Sequence, residues 1–301
     1  MKEKIKKIII IIIFFIGLLV FIYPIASKII NNYLIQRTIS NYKEDISNVI
    51  VADKSENQSS DIKENIDELF GNMQTYNENI FNEGQQNLLD PFSYELPSFD
   101  LLEIGFKENI IGYLTIPKMD IEVPIYLGAT QENMKKGATH LSETSIPIGG
   151  INTNSVISAH RGMKTHPMFR DIEVLEIGDE VKVTNMWGEL TYKVMETKVI
   201  NPDQISEVLI QEGRDLITLM TCHPYTKNYQ RYVVYCERQE DTNYQEEDKE
   251  VLCRLNDNDI NTKKTYNIVN VESFFRYIGI VLIIIFFGYI AYKTIRSNKN
   301  S

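Results

Sequence analysis

Cys222, Arg231 and His160 are the side chains of this 301-residue chain whose types and spacing could do covalent chemistry. Residues 217–238 read ITLMTCHPYTKNYQRYVVYCER: a cysteine closes one apolar run and an arginine opens another nine positions later. Read as a hairpin, residues 223–230 form the loop and Cys222 lies directly opposite Arg231. The Cβ atoms of such a cross-strand pair are about 4.5–5.5 Å apart. Side chains alternate along a strand, so Thr218, Met220 and Cys222 share a face, with Arg231, Val233 and Tyr235 across the ladder. A guanidinium beside a thiol favours the thiolate, the nucleophilic form. It also donates hydrogen bonds to an oxyanion or a peptide carbonyl. The plainer alternative is an inert buried cysteine beside a strand-end arginine.

A nucleophilic cysteine commonly works with a histidine, and the chain has four. His223 adjoins Cys222, and consecutive strand residues point to opposite faces, which argues against it as partner. His140, in KGATHLSET, and His166, in KTHPMF, read as loop residues. His160 ends the strand-like SVISAH, where a barrel mouth would present a polar side chain; pattern alone leaves it a candidate rather than a choice. No Cys-x-x-Cys or His-x-x-x-His spacing calls for a metal, and nothing calls for an organic cofactor.

These residues sit in a region of short β-branched and aromatic runs that begins at Gly112. The runs are GYLTIP, IEVPIY, SVISAH, EVKVTN, ELTYKVMET, LITLMTC and RYVVYCER, separated by Gly, Pro, Asn and Asp. Seven or eight strands in about 130 residues predict a barrel or sandwich. Ile121, Val123 and Ile125 alternate with Glu122, Pro124 and Tyr126, the period of a half-buried strand. DQISEVLI, from Asp203, reads as a short helix. Upstream, Ile62, Ile66, Leu69, Met73, Tyr76 and Ile80 form one stripe of an amphipathic helix. The loop between helix and barrel carries Asp90, Pro91 and Phe92, an acid and an aromatic that could cover something. Alone it reads as a connection.

Residues 8–26, IIIIIIFFIGLLVFIYPIA, carry no charge, and residues 274–292 carry only Arg276. Each is long enough for a membrane span. Lys2, Lys4, Lys6 and Lys7 precede the first run; Lys293, Arg296 and Lys299 follow the second. Basic flanks stay in the cytoplasm, so both termini are expected inside and the region between them outside. The first run is longer than a usual signal-peptide core, and no A-x-A site follows it. The chain is net −10 despite these basic ends, which argues against nucleic acid as partner. Of the three cysteines, Cys236 and Cys253 could pair, which leaves Cys222 free.

Several of these motifs together resemble the sortase family, and within it the pilin-assembling class C. Thr218–Cys222 reads TLMTC, similar to T-L-x-T-C; Arg231 follows nine residues on, and His160 lies in SAHRG. GYLTIPKMDIEVPIYLG and KGATHLSETSIPIGG look like early strands of that family, and Asp90–Pro91–Phe92 resembles the class C lid motif. The similarity spans about residues 62–240.

The resemblance implies a mainly β fold: a closed sortase-type β-barrel of about eight strands, with N-terminal helices and a transmembrane helix at each end. The expected layout is a cytoplasmic start (1–7), a span (8–26), a helical region (27–85) and a lid loop (86–98). The catalytic barrel (99–240), a polar tether (241–273), a second span (274–292) and a cytoplasmic tail (293–301) follow. It implies a cysteine transpeptidase with Cys222 as nucleophile and His160 as acid and base, Arg231 holding substrate carbonyls or the oxyanion, and no metal or cofactor. The implied partners are pilin or surface proteins with a C-terminal LPxTG-like sorting signal, beside the lipid bilayer. Asp90 would pair with Arg231, and Phe92 would cover Cys222. His223 departs from the small polar residue that class C members often carry after the nucleophile. A purely hydrolytic cysteine peptidase, a wall-anchoring sortase and a non-catalytic membrane-bound assembly module remain as other readings.

Overall fold

The computed structural model describes residues 2–52, 59–90, 92, 96–102, 106–161 and 168–239. The chain divides into two units, residues 1–27 with 259–301 and residues 28–258. The first is described through the start of α1 (Lys2–Ala52). The second holds the strands and Cys222, His160 and Arg231.

Eight strands close into a barrel: β1 (Ile110–Ile116), β2 (Ile121–Leu127), β3 (Ala138–His140), β4 (Thr153–Ser158), β5 (Glu180–Asn185), β6 (Gly188–Ile200), β7 (Asp215–His223) and β8 (Gln230–Arg238). Their order around the barrel is β1-β2-β3-β4-β7-β8-β6-β5. Pairs β2–β3 and β4–β7 are parallel, and the rest are antiparallel. Closure leaves no free sheet edge. The seven expected runs all form strands; β3, in the stretch read as a loop, is the eighth. Its three residues are too few to show a period, and its partners lie elsewhere in the chain. His140 is therefore a buried strand residue, with Nε2 at 2.9 Å from the Ser145 carbonyl. Burial holds its imidazole down at about 4, a neutral structural group.

One apolar cluster draws on all eight strands, with Leu114, Val183, Val194, Ile217, Leu219, Tyr232 and Val234 inside it. A second cluster lies on the outer face of β4, β7 and β8: Val156, Met220, Val233 and Tyr235, with Leu88, Met134, Leu141 and Val208 over them. Val208 ends a single 3-10 turn, Ile205–Val208, where a short helix was expected. Strand β2 is not half-buried as its alternation predicts, for residues 123–127 are buried without a break. The outer side is covered because α1 docks there through Ile35, Ile39 and Tyr42, all buried. Tyr42 donates to the Ile111 carbonyl at 2.7 Å, and Lys43 pairs with Glu122 at 3.5 Å.

From Ile66 on, the stripe of α2 (Ser59–Glu83) packs inward, with Leu69, Met73 and Ile80 buried and Ile66 and Tyr76 half-buried; the Ile62 side chain lies outside the described residues. Gly84, at φ +76°, ends this helix, since the left-handed conformation suits glycine. The next residue anchors the loop: Gln85 donates to the Glu143 carbonyl at 2.9 Å and accepts from the Ile210 amide at 2.7 Å. Among the described residues no helix is long and apolar enough to cross a membrane. Residues 8–26 fall inside α1 but many of their side chains lie outside the described set, and residues 274–292 lie wholly outside it.

Candidate active site

Cys222 and Arg231 are directly opposite in the β7–β8 ladder, the register expected from the hairpin. The loop is shorter than expected, because His223 and Gln230 still pair and only residues 224–229 turn. Cys222 lies on the outer face with Met220, opposite the interior residues Ile217 and Leu219. His160 stands two residues past the end of β4. Strand β4 runs parallel to β7, Ser158 beside Met220. The pairing continues beyond the strand: the Ala159 amide donates to the Met220 carbonyl at 3.2 Å, and Thr221 Oγ1 donates to the Ala159 carbonyl at 2.7 Å. Continued one more step, that register sets His160 opposite Cys222. Parallel neighbours at equal height face the same side about 4.8 Å apart.

The loop from α2 reaches the same mouth. Asp90 accepts from Arg231 Nε at 2.7 Å and Nη2 at 2.8 Å, a two-point carboxylate–guanidinium pair. The Phe92 ring lies 5.9 Å from the His160 ring and 4.7 Å from the Arg231 guanidinium carbon. Leu88 is buried in the outer cluster and Leu89 is exposed. The crevice between Leu89, Asp90, Leu141, Ile205, Met220 and Arg231 leaves about 10 Å³ for the centre of a water molecule. That is room for about one water. Pro91 lies outside the described residues, as do His166 and Cys253.

Burial pushes the Cys222 thiol above its ordinary value; Arg231 pulls it down, Asp90 pushes it up, and Arg161 pulls it down. Burial, with Lys135 as a smaller cause, holds the His160 imidazole below its ordinary value. Both shifts favour the uncharged thiol and uncharged imidazole with the loop in place. The other described cysteine, Cys236, is free and sealed in the barrel core, and burial pushes its thiol far up. No cluster of three or more metal-ligating side chains gathers among the described residues.

A nucleophile type, a base type and a guanidinium on one barrel mouth narrow the family, and comparison completes it. A sortase domain model matches residues 114–239. The chain belongs to the sortase family. Sortases are cysteine transpeptidases. It is 32% identical to Sortase D of Bacillus subtilis over 130 residues, which cover 42% of this chain and 63% of that protein. Its fold resembles the structure of Sortase C1 of GBS Pilus Island 1, with a TM-score of 0.58 at 29% identity, covering 70% of this chain and 94% of that one. It also resembles Streptococcus pneumoniae Sortase C, with a TM-score of 0.57 at 29% identity, covering 69% of this chain and all of the other.

The sequence reading passed over Arg161 and Glu173. They sit on the inner side of the same wall, in contact with His223, which faces inward as strand alternation requires. Glu173 carried no signal, for it lies in an unremarkable 3-10 turn, Ile172–Val174. Arg161 carried a faint one: it follows His160 directly, so it must point the other way.

Proposed function

We propose that this sortase is a membrane-anchored, class C transpeptidase that cleaves an LPxTG-like sorting signal after its threonine and joins that threonine to a pilin lysine. Cys222 gives its thiol proton to His160 as Sγ attacks the threonine carbonyl carbon, and Arg231 stabilises the negative oxygen that results. The bond to glycine breaks, His160 gives the leaving amine its proton, and a thioester remains. The lysine amine then attacks the thioester, His160 accepts a proton from it, and the Cys222 thiol is restored. The observation that carries this reading is the meeting of Cys222, Arg231 and the His160-bearing strand end on one outer face. The likeness to sortase C structures supports the pilin class.

Asp90 and Phe92 act as a lid. The acid occupies the fork that a substrate carbonyl needs, and the ring fills the space beside His160. Opening removes a carboxylate and uncovers the thiol, and both changes favour thiolate. Residues 8–26 and 274–292 are proposed as spans with both termini cytoplasmic. The exposed Ile12, Ile13, Phe15, Ile16, Leu19 and Val20 support the first, since a helix that is apolar all round needs an apolar solvent. Tethering would hold the barrel near substrates in the same membrane and raise their effective concentration.

The test incubates the full chain in membranes with candidate sorting-signal proteins and sequences the product by mass spectrometry. A Thr–Lys isopeptide bond, lost in Cys222→Ala, is the expected product. A free threonine carboxylate as the sole product means a peptidase, and capture by a wall-precursor amine means an anchoring sortase. Cross-linking that persists in Cys222→Ala overturns the enzyme reading.

A further inference from the structure

Two dipeptides, His160–Arg161 and Cys222–His223, end neighbouring parallel strands at the mouth. Alternation turns His160 and Cys222 outward and Arg161 and His223 into the barrel. The inward pair is tightly held. Arg161 Nη1 lies 3.0 Å from His223 Nδ1 and 3.5 Å from the Cys222 carbonyl oxygen, to which it donates. Arg161 Nη2 meets Glu173 Oε1 at 2.6 Å, with both side chains 1% exposed. The same oxygen is 3.2 Å from His223 Nδ1. Arg161 Nε reaches the Arg170 carbonyl at 3.4 Å, and Tyr232 lies beneath both the guanidinium and the His223 ring, 5.9 Å from each.

We propose that Arg161, braced by Glu173, is a positioning residue that clamps the strand end bearing His160 to the strand end bearing Cys222 from inside the barrel. This rests on the reading of Cys222 and His160 as the reacting pair. Regular strand β4 stops at Ser158, and the pairing with β7 runs on only through Ala159, one residue short of His160. The Arg161 side chain supplies the missing tie, and it grips the carbonyl of the nucleophile's own residue. Arg231 serves the outer face, where the Asp90 carboxylate occupies it; Glu173, His223 and the Cys222 and Arg170 carbonyls, which Arg161 meets, all lie outside that loop.

The ion pair is a poor device for stability alone. A buried pair adds little over apolar side chains of similar volume, whereas losing one partner is severe. Both Glu173 oxygens are buried without a hydrogen-bond partner among the described residues, so the 2.6 Å approach of Arg161 is a charge contact, and the unpaired oxygens are a further cost. What Arg161 supplies is direction, because its guanidinium fork reaches the Cys222 and Arg170 carbonyls and His223 Nδ1 at set angles, while Glu173 supplies the countercharge.

The test uses the full chain carrying Asp90→Ala, so that loop closure does not mask the outcome. Arg161→Met with Glu173→Met removes both charges and keeps bulk. Melting temperature, turnover of a sorting-signal peptide, the pH profile of Cys222 alkylation up to its plateau and backbone hydrogen exchange over residues 159–161 and 221–223 are measured. The clamp predicts a folded protein whose kcat falls at least about tenfold. KM should stay within about twofold, and the plateau rate of Cys222 alkylation at high pH, which needs no histidine, should be unchanged even though loss of Arg161 moves its midpoint up. Exchange at both strand ends should quicken about tenfold. A folded double variant with parental kcat and exchange overturns the proposal. Should it not fold, Arg161→Lys keeps the charge and loses the fork, and unchanged kcat there overturns the proposal equally. A parent that alkylates at Cys222 but turns nothing over sinks the transpeptidase reading instead, and the exchange result then decides the clamp by itself.

Discussion

Replacing Asp90 by Ala removes both hydrogen bonds that hold the loop against Arg231, at 2.7 and 2.8 Å. A hydrogen bond to a charged group contributes about 1.5–3 kcal/mol. The Asp90 side chain is 16% exposed and Arg231 8%, so water weakens the pair only partly. About 2–3 kcal/mol for the two together is a reasonable net figure, which makes the open form about 30- to 140-fold more populated. The second-order rate of Cys222 alkylation at neutral pH should rise by that factor, read by mass spectrometry on the intact protein. Cys236 serves as the internal control, because the core shields it. The pH profile moves as well. In the parent, burial and the Asp90 carboxylate both hold the thiol above its ordinary value, while Arg231 and Arg161 oppose them. The thiolate midpoint of the parent is therefore shifted up from its ordinary value; without Asp90 it moves to lower pH. Asp90→Asn should fall between the two, since it keeps the shape and loses the charge. A rate within about twofold of the parent, with an unmoved midpoint, refutes the reasoning.

His160→Ala should cut peptide turnover by about 10²–10⁴-fold with little change in Tm, as measured by steady-state kinetics and thermal melting. Arg231→Lys keeps the charge but not the two-point fork, so alkylation of Cys222 should rise while transpeptidation falls by about tenfold or more; parallel assays on one preparation separate the two. Asn154 donates to the carbonyls of Val208 at 2.9 Å and Leu209 at 3.3 Å and accepts from Thr218 Oγ1 at 2.8 Å. Asn154→Leu orphans all three, at a cost of about 3 kcal/mol, and calorimetry should show Tm lower by about 10 °C.

The Cys222–Arg231 pairing was legible because a tight hairpin fixes register locally, and alternation then assigns Thr218, Met220 and Cys222 to one face. Strand β3 was not legible, because three residues show no period and both its partners are distant. The expected half-burial of β2 failed because pattern describes one strand, while burial depends on what else docks there. Here α1 covers its outer side. His160 was one candidate among several in the sequence; the parallel pairing of β4 with β7, Ser158 beside Met220, carries its strand end toward that of Cys222.

By itself the sequence determined the local chemistry of this protein. It specified a barrel-forming strand pattern, an apolar run at each end, and a thiol opposite a guanidinium across a hairpin. These follow from neighbours a few positions apart, through alternation and turn geometry. Only the tertiary structure decided which face of β7 looks outward, since both faces are apolar and either could have filled the core. It also set Asp90 against Arg231, 141 positions away in the chain, and buried Arg161, Glu173 and His223 behind the nucleophile. Such contacts depend on barrel closure, a global condition that no single segment encodes.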